Sequence, residues 1–406
     1  MHHLPEFGYS AKVLTTSAFG GESSDRVLRA WEPLGLYRRL FNKEVRSGET
    51  ASYVRTDAGL LRSPLQWAYR YLLVPDLQLT WLPAALLKAL RAVRRDPPDV
   101  LYSTYPPASA HLLALLLKGL TGMPWVADFR DAWVYDPLDP VLEEVPYRRA
   151  LEKFLEEAVV VGADRVLAAT EISAAYLRQT YPQAADTIEV IPNGFEPDDF
   201  PGDGRGPRRS GQDPLRIVHT GSFSRSHPKR TPQPLFVALE ALLDEDPSWA
   251  SRLCLVLVGH LTSAEQAAAR RLERAGVVEI RGPLERGEAL ACQRQADVLL
   301  LVDHARNGLA SNVPGKFYEY LAVRRPILAL CGAGMVERLV GELGAGFHAA
   351  VDDPQAIGRK LKQIYGLFQR NQLEVRVDEV ILRRFHRREL TRKLALCFDQ
   401  LTGDDG

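Results

Sequence analysis

The sequence predicts an α/β protein with two doubly wound parallel-sheet domains. Short apolar runs alternate with helical patterns in two separate series, and this alternation is typical of parallel sheets with crossover helices. A charged stretch rich in Gly and Pro, residues 196–214, separates the two series as a linker. The chain of 406 residues is 46% hydrophobic, which is enough for two globular cores.

The composition excludes several classes of protein. Lys plus Arg and Asp plus Glu number 51 each, so the overall charge does not favour nucleic acid as a partner. The longest apolar stretch, Ala110–Leu117, is far too short to cross a membrane, and the first residues do not resemble a signal peptide. Four cysteines lack metal-ligand spacing and are expected to be free thiols in a reducing compartment: Cys254, Cys292, Cys331 and Cys397. We therefore expect a cytoplasmic protein.

The first series starts at a strand predicted over Ala11–Thr16, after what resembles the end of a helix and a turn. Further strands are predicted at Asp99–Thr104, Pro124–Trp133, Asp164–Thr170 and Thr187–Phe195, with helices at Ala108–Gly119, Arg149–Val161 and from Ile172. Ligands of such sheets bind at the carboxyl ends of the strands. We therefore expect the segments Thr104–His111, Asp128–Trp133 and Glu171–Ser173 to line one crevice.

Residues 64–95 combine aromatic, aliphatic and basic side chains. Trp67, Tyr69, Tyr71 and Trp81 precede a basic end at Lys88, Arg91, Arg94 and Arg95. This composition fits a membrane surface with anionic lipid at the inner face of the membrane. The alternative is a helical hairpin that packs on the sheet with its arginines in solvent.

The second series ends at the stretch that is most informative about function, Ser311–Leu330. Pro314 and Gly315 are expected to open a helix whose free N–H groups, with Lys316 beside them, suit a phosphate. Glu319 lies about one turn further on, and an ordinary amphipathic helix before a core strand is the alternative. The other predicted elements are strands at 215–223, 253–259, 277–283 and 297–302, helices at 234–243, 263–275 and 288–295, and a basic last helix at 379–401.

The stretch Ser311–Leu330 resembles the nucleotide-sugar signature of glycosyltransferase family 4, in its "P-x-K-x-x-E-Y" version. The resemblance implies the GT-B architecture, two Rossmann-like domains facing a central cleft. It also implies that the helix start at Gly315 and Lys316 holds the donor diphosphate and that Glu319 binds the ribose. Ser311 stands where most members have a Glu, so it is a donor-binding candidate whose contacts with the donor sugar would differ from those of most members.

The resemblance extends to other strand ends of the second domain. It implies that Gly221, Ser222 and Arg230 engage the diphosphate, with Lys229 as a competing cation, or alternatively a turn followed by a solvated basic run. A side chain at Gly221 would block the approach of a phosphate to the backbone. The loop Ile280–Leu284 resembles the part of the family that contacts the base, which makes Arg281 and Leu284 candidates.

The first domain provides the expected acceptor side. The catalytic candidates Asp128, Arg130 and Asp131 are crowded into one turn, where burial would be costly unless they paired or faced a ligand. The segment resembles a bacterial branch that makes surface polysaccharides. By this resemblance Asp131 hydrogen-bonds the acceptor or the donor sugar and Arg130 orients it, while an Asp–Arg pair that pins the loop is the alternative. Thr104, His111 and Glu171 are further acceptor-side candidates, although a lone His is more often structural.

The resemblance implies transfer of a sugar, with retention, from a nucleotide sugar to a glycan or polyprenyl-linked acceptor. No metal or other cofactor is expected, since the sequence has no paired carboxylates or His/Cys cluster in a metal-binding setting. The alternatives are a nucleotide-sugar epimerase and a non-catalytic or truncated binding protein. Compared with the family, we expect the first βα unit to be missing, either because translation starts upstream of Met1 or because the unit has been lost. The predicted domains are 1–195 and 215–378, with residues 379–406 as a helix that returns to the first domain.

Overall fold

The computed structural model describes residues 2–18, 24–33, 64–137, 139–200, 213–306, 308–375 and 377–403. It divides into two compact units, which are described separately below. Unit 1 contains Met1–Pro192 and Arg388–Gly406, and unit 2 contains Asn193–Arg387. Most of the predicted linker, residues 201–212, lies outside the described residues.

Unit 1 is built on a four-stranded parallel sheet with the order β3-β4-β5-β6. β4 is the central apolar strand, and all five of its side chains are buried, as expected for a strand covered on both faces. A second, two-stranded parallel sheet, β1-β2, contains the predicted first strand and a strand that the sequence did not indicate. The strands are β1 (Val13–Thr16), β2 (Val27–Ala30), β3 (Leu101–Tyr105), β4 (Trp125–Phe129), β5 (Arg165–Ala168) and β6 (Ile188–Val190).

The helices of unit 1 include the segment predicted to meet a membrane. Of its four aromatic residues, Trp81 is buried in the core, and the Tyr69 hydroxyl donates to Asp139, so these two are not available to a membrane. Trp67 and Tyr71 remain exposed. The helices are α1 (Pro64–Tyr71), α2 (Leu82–Arg95), α3 (Ala108–Thr121), α4 (Val141–Glu144), α5 (Pro146–Gly162) and α6 (Glu171–Thr180).

Unit 2 is a six-stranded parallel sheet with the order β12-β11-β10-β7-β8-β9. Both faces of the sheet are covered by apolar clusters, as in other doubly wound sheets. Its strands are β7 (Leu215–Thr220), β8 (Leu253–Val258), β9 (Val278–Gly282), β10 (Val298–Val302), β11 (Ile327–Cys331) and β12 (Gly346–Ala350). Its helices are α7 (Gln233–Glu245), α8 (Trp249–Arg252), α9 (Ser263–Arg274), α10 (Arg286–Arg294), α11 (Gly315–Val323), α12 (Met335–Glu342), α13 (Pro354–Gln369) and α14 (Glu379–Arg383).

The end of the chain differs from the single predicted helix. The helical region is interrupted between α14 and α15 (Arg387–Thr402), where Phe385 and Arg387 exchange backbone hydrogen bonds with Phe195. Phe195 and Phe200 are buried in the core of unit 2, so the beginning of the predicted linker is packed rather than extended. The sequence interpretation also omitted α12, β12 and α13.

The four cysteines are free, and three of them are buried, which confirms the expectation of free thiols. In the described part of the chain, no helix has the length and apolar character needed to cross a membrane.

Candidate functional site

The first candidate region is the start of α11, in the stretch that looked most informative in the sequence. Pro314 precedes the helix, and no side chain caps it. The first N–H groups of a helix have no acceptor within the helix, and the helix dipole makes this end attractive to anions. Phe317 and Tyr320 are buried, and the Tyr320 hydroxyl accepts a hydrogen bond from the Thr220 N–H at 3.2 Å. The helix start is therefore fixed beside the end of β7.

Gly221 follows β7 and lies against Lys316. Its φ of +110° is in the region that favours glycine, and a Cβ there would lie 2.5 Å from the Lys316 Nζ. The Lys316 ammonium donates to the carbonyl oxygen of Thr220 at 2.6 Å. Gly259, at the end of β8, is also required, because a Cβ there would lie 2.4 Å from the Gly221 carbonyl oxygen. The structure thus brings together two predicted residues, Gly221 and Lys316, that are distant in sequence.

The charge of Lys316 is sensitive to its surroundings. Burial, followed by the positive charge of Arg230, lowers the pKa of Lys316 to about 7, although the carboxylates of Glu319 and Asp303 act in the opposite direction. An anion bound beside this ammonium would favour its charged form. Lys316 is therefore suited to bind a phosphate and to take up a proton as it does so.

Arg230 belongs to a polar cluster beside Lys316. The other members of this cluster, Asp303, His304 and Arg306, were not predicted from the sequence. Arg230 Nη2 donates to Asp303 Oδ1 at 2.9 Å, and Arg306 Nη1 donates to Asp303 Oδ2 at 2.7 Å. Burial acts to raise the pKa of Asp303, but the hydrogen bond from His304 and the two arginines hold it well below its usual value. Because Arg230 and Arg306 share the single carboxylate of Asp303, this cluster beside Lys316 has excess positive charge, which suits a diphosphate.

Glu319 forms a bridge that was also not predicted. Arg286, the first residue of α10, donates from Nη1 to Glu319 Oε1 at 3.2 Å and from Nη2 to Asp199 Oδ2 at 2.5 Å. The Glu319 side chain is 26% exposed, so it can be reached from solvent. Its carboxylate is therefore placed on α11, four residues after the start of the helix.

Of the predicted donor-side residues, one is inaccessible and another is only partly exposed. Ser311 is fully buried, so the expectation that it contacts a donor sugar needs correction. Leu284 is partly buried, and its side chain packs against an apolar cluster of unit 2. The backbone of this loop, rather than the Leu284 side chain, remains the candidate for a contact with the base.

The remaining cations on the donor side differ in their surroundings. Lys229 is exposed, whereas Arg230 turns inward to Asp303, so of these two neighbours Arg230 is the one that joins the Lys316 cluster. Arg281 donates to Glu279 Oε1 at 2.6 Å and to Cys292 Sγ at 3.4 Å, which engages its guanidinium within unit 2. Ser222 is half-buried after Gly221. The roles predicted for these residues stay predictions.

In unit 1, the charged loop after β4 contains one carboxylate that is already satisfied. Asp128 is buried, and its Oδ2 accepts hydrogen bonds from the Tyr102 hydroxyl and from Thr104 Oγ1, the latter at 3.4 Å. Burial raises the pKa of Asp128 despite these bonds. Asp128 and Thr104 therefore link β3 to β4, which is a structural role rather than the predicted catalytic or acceptor-binding ones.

The Asp131 carboxylate, unlike that of Asp128, is not occupied by hydrogen bonds in the described part of the chain. Asp131 is half-buried, and its carboxylate accepts no hydrogen bond from the residues that the structure describes. Burial raises the pKa of Asp131 to about 6, with Arg130 acting against this shift and the charges of Asp136 and Asp128 adding to it. A carboxylate with an open position and a pKa near neutrality is suited to accept a hydrogen bond or a proton from a hydroxyl group.

A buried charged stripe on α5 holds this loop. Arg148 is fully buried and donates to Glu152 at 2.7 Å, and Glu152 also accepts from the Trp133 indole N–H at 2.8 Å. One turn further, Glu156 accepts from the Val134 N–H at 3.3 Å, and burial raises the pKa of Glu156 to about 7. These bonds fix the residues that immediately follow Asp131.

His111 is not where an acceptor could reach it. Its ring has no exposed surface, lies 4.8 Å from the Phe129 ring, and its Nδ1 is 2.7 Å from Ser103 Oγ. Burial lowers the pKa of His111 to about 3, so the ring is neutral. The expectation that His111 faces the acceptor is therefore corrected to a core histidine. Glu171 is exposed at the start of α6, and its acceptor-side role stays a prediction.

Some of the missed residues carried a signal in the sequence. Asp303, His304 and Arg306 directly follow the buried strand β10, and polar residues after a parallel strand indicate a ligand edge. Arg286 carried no such signal, because its partner Glu319 is 33 residues away. For the α5 stripe, a spacing of four residues between charges is more typical of an exposed helix face.

No group of three or more His, Cys, Asp and Glu side chains among the described residues could hold a metal ion.

Comparisons with known proteins agree with this architecture. Residues 1–194 match the sequence profile of the glycosyl transferase 4-like domain. D-inositol 3-phosphate glycosyltransferase from Streptomyces scabiei is 32% identical over 219 residues, which are 51% of this chain and 47% of that protein. The corresponding protein from Actinosynnema mirum is 30% identical over 220 residues, 50% of each chain. The chain thus spans about half the length of the curated relatives it matches.

Solved structures show the same fold at low identity. HepE from Anabaena, in complex with UDP and glucose, has a TM-score of 0.59 at 17% identity, covering 96% of this chain and 100% of that chain. Sucrose-phosphate synthase from Thermosynechococcus elongatus has a TM-score of 0.58 at 16% identity, covering 81% of this chain and 80% of that chain. The protein therefore has the GT-B fold. The resemblance to glycosyltransferase family 4 is confirmed, since residues 1–194 carry its glycosyl transferase 4-like domain.

Proposed function

We propose that the protein is a glycosyltransferase that moves a sugar, with retention and without a metal, from a nucleotide sugar to a glycan or lipid-linked acceptor in cell-surface polysaccharide biosynthesis. The observation that carries the proposal is that Gly221 lies against Lys316 at the start of α11, an arrangement that suits a phosphate. The uncapped helix start and the Arg230 cluster add positive potential beside it. Glu319, which is partly exposed on α11, would supply a carboxylate for the ribose hydroxyls.

The chemistry needs a group that stabilises the charge of the departing nucleoside diphosphate. Lys316, Arg230 and the helix-start amides would do so electrostatically, and fixed donors of this kind contribute most where water is excluded. Asp131 would accept a hydrogen bond from an acceptor or donor hydroxyl, with Arg130 beside it. In this mechanism the leaving phosphate itself takes the acceptor proton. HepE, which has the same fold, has been solved in complex with UDP, and this supports a nucleotide as the ligand of unit 2.

Calorimetry with UDP, GDP, ADP and CDP tests the proposal. We expect one of them to bind, and its sugar conjugate to release the free nucleotide only when an acceptor is added. No binding of any nucleotide would refute the proposal. Conversion of the nucleotide sugar without an acceptor would instead indicate an epimerase, and binding without turnover across a panel of acceptors would indicate a non-catalytic protein.

We also propose that unit 1 docks on an anionic membrane through an apolar surface formed by α1 and α5. Trp67 on α1 and Leu72, the residue after α1, are 57% and 61% exposed, and Phe154 on α5 is 65% exposed. The two helices adjoin, because the Tyr147 hydroxyl donates to the carbonyl oxygen of Tyr71 at 2.5 Å. Two basic side chains, Arg149 and Lys153, are exposed on the same helix as Phe154.

Sedimentation with vesicles tests this docking. We expect binding to vesicles of phosphatidylglycerol and phosphatidylcholine and weak binding to phosphatidylcholine alone, because the apolar contact and the attraction to anionic lipid add together. Trp67→Ser with Phe154→Ser should lower the bound fraction severalfold. Val237→Ser, an exposed apolar residue of unit 2, is the matched control and should have no effect. Equal binding by the double variant and the wild type would contradict the proposal.

A further inference from the structure

The bridge made by Arg286 connects two carboxylates of unit 2 that no sequence motif links. Its guanidinium contacts Glu319 on α11 and Asp199 in the 3-10 turn Pro197–Asp199. We propose that Arg286 is a positioning residue of the ribose site, which holds the Glu319 carboxylate in the orientation that accepts the ribose hydroxyls. Asp199 in turn holds Arg286. The inference rests on the proposed function, because it assumes a nucleotide at Glu319.

Glu319 can accept hydrogen bonds from a ligand while Arg286 holds its carboxylate. An ionised carboxylate offers about four lone-pair sites on its two oxygens. Arg286 uses one of them, on Oε1, and no other described residue donates to Glu319. Two ribose hydroxyls can therefore be accepted without displacing Arg286. The arginine fixes the plane of the carboxylate and lowers the entropy that binding would otherwise cost.

Arg286 needs an anchor to act in this way. Its side chain is 60% exposed, so one contact at 3.2 Å would leave it mobile. The 2.5 Å contact with Asp199 provides the second point, and Asp199 itself adjoins Phe200, which is buried in the core of unit 2. The Arg286 guanidinium is thus held between the turn Pro197–Asp199 and helix α11. Lys could not form both contacts with the same geometry.

The variants of this bridge should fold normally, because exposed ion pairs contribute little to stability. The experiment measures the dissociation constants of the full chain for UDP, GDP, ADP and CDP, each beside its 2′,3′-dideoxy counterpart. Arg286→Gln should weaken the binding of the ribonucleotide by about two- to fivefold, the range that an exposed ion pair allows. It should leave the dideoxynucleotide within twofold. Asp199→Asn should act in the same direction with a smaller effect.

A double-mutant cycle adds a second criterion. In the Glu319→Gln background, Arg286→Gln should have no further effect on ribonucleotide binding, because its target is gone. Arg271→Gln is the matched control, since Arg271 is an exposed arginine of unit 2 that pairs with Asp244. It should change neither dissociation constant.

Three outcomes would overturn the inference. Equal weakening of ribo- and dideoxynucleotide by Arg286→Gln would mean that Arg286 acts on the phosphates, tighter ribonucleotide binding would mean that it obstructs Glu319, and no change would mean that it is a surface ion pair only. Each of these differs from failure of the proposed function, in which no nucleotide binds to the wild type.

Discussion

Lys316→Met should weaken binding of the donor nucleotide sugar by about 10- to 100-fold at pH 7, the range expected for loss of a charged hydrogen bond. Lys316 lies at the junction of Gly221 and the start of α11, where its ammonium already donates to Thr220. Methionine has a similar shape and no charge. Calorimetry with the nucleotide sugar identified by the panel measures the effect, and circular dichroism confirms that the variant folds.

The same residue should make donor binding depend on pH. The pKa of Lys316 is about 7 in the empty site, so at pH 8 the amine is about nine-tenths neutral. A bound diphosphate favours the ammonium and raises its pKa, so binding above pH 7 takes up a proton. Affinity should therefore fall by up to about tenfold per pH unit above pH 7 until the pKa of the complex is reached.

Calorimetry in buffers of different ionisation enthalpy measures that proton uptake directly. The nucleotide sugar is a suitable probe because its diphosphate has no phosphate group that titrates in this range. Lys316→Met should take up no proton and should bind equally weakly from pH 7 to pH 9. Lys362→Met is the control, since Lys362 is exposed and pairs with Glu245. A wild type with pH-independent affinity would exclude Lys316 as a phosphate ligand of lowered pKa.

Gly221 and Lys316 also show what sequence reasoning can achieve. They are 95 positions apart, but each follows from a general rule. A Gly at a strand end admits a phosphate, a helix start attracts one, and in a parallel sheet both lie at the same edge. Because topology supplies the proximity, no knowledge of side-chain packing was needed to predict that they belong to one site.

Arg286 and Ser311 show where such reasoning ends. The contacts of Arg286 depend on the relative placement of α10, α11 and a turn near Asp199, which no local pattern encodes. Burial of Ser311 depends on how the loop after β10 folds back, which is also decided by tertiary packing. The omitted strand β12 is an edge strand, Gly346–Ala350, without β-branched residues, so its β propensity is low.

One omission did carry a signal. α13 begins with Asp353 as its N-cap and Pro354 in its first turn, and Ile357, Leu361 and Ile364 recur at helical spacing. These residues are buried in the first apolar cluster of unit 2. The helix was therefore predictable from its cap and its period.

Asp131→Asn should lower kcat by about 100-fold or more while leaving the affinity for the nucleotide unchanged. Asparagine keeps the shape of the side chain but removes the charge that would hold the reacting hydroxyl, and loss of one positioned polar group at the reacting centre typically costs about 10²- to 10³-fold. Nucleotide affinity should be unaffected because Lys316, Arg230 and Glu319 all belong to unit 2. Steady-state kinetics of the full chain with the identified donor and acceptor measures the change.

The pH profile separates this role from a structural one. The pKa of Asp131 is raised to about 6, and the carboxylate is the active form, so kcat of the wild type should rise as the pH increases through about 6. Asp131→Asn should lose that limb of the profile, which loosening of the loop alone would not do. Asp186→Asn, an exposed carboxylate of unit 1, is the matched control and should keep both the rate and the profile. A rate within threefold of wild type would remove Asp131 from the reaction and leave it as a loop residue held beside the α5 stripe.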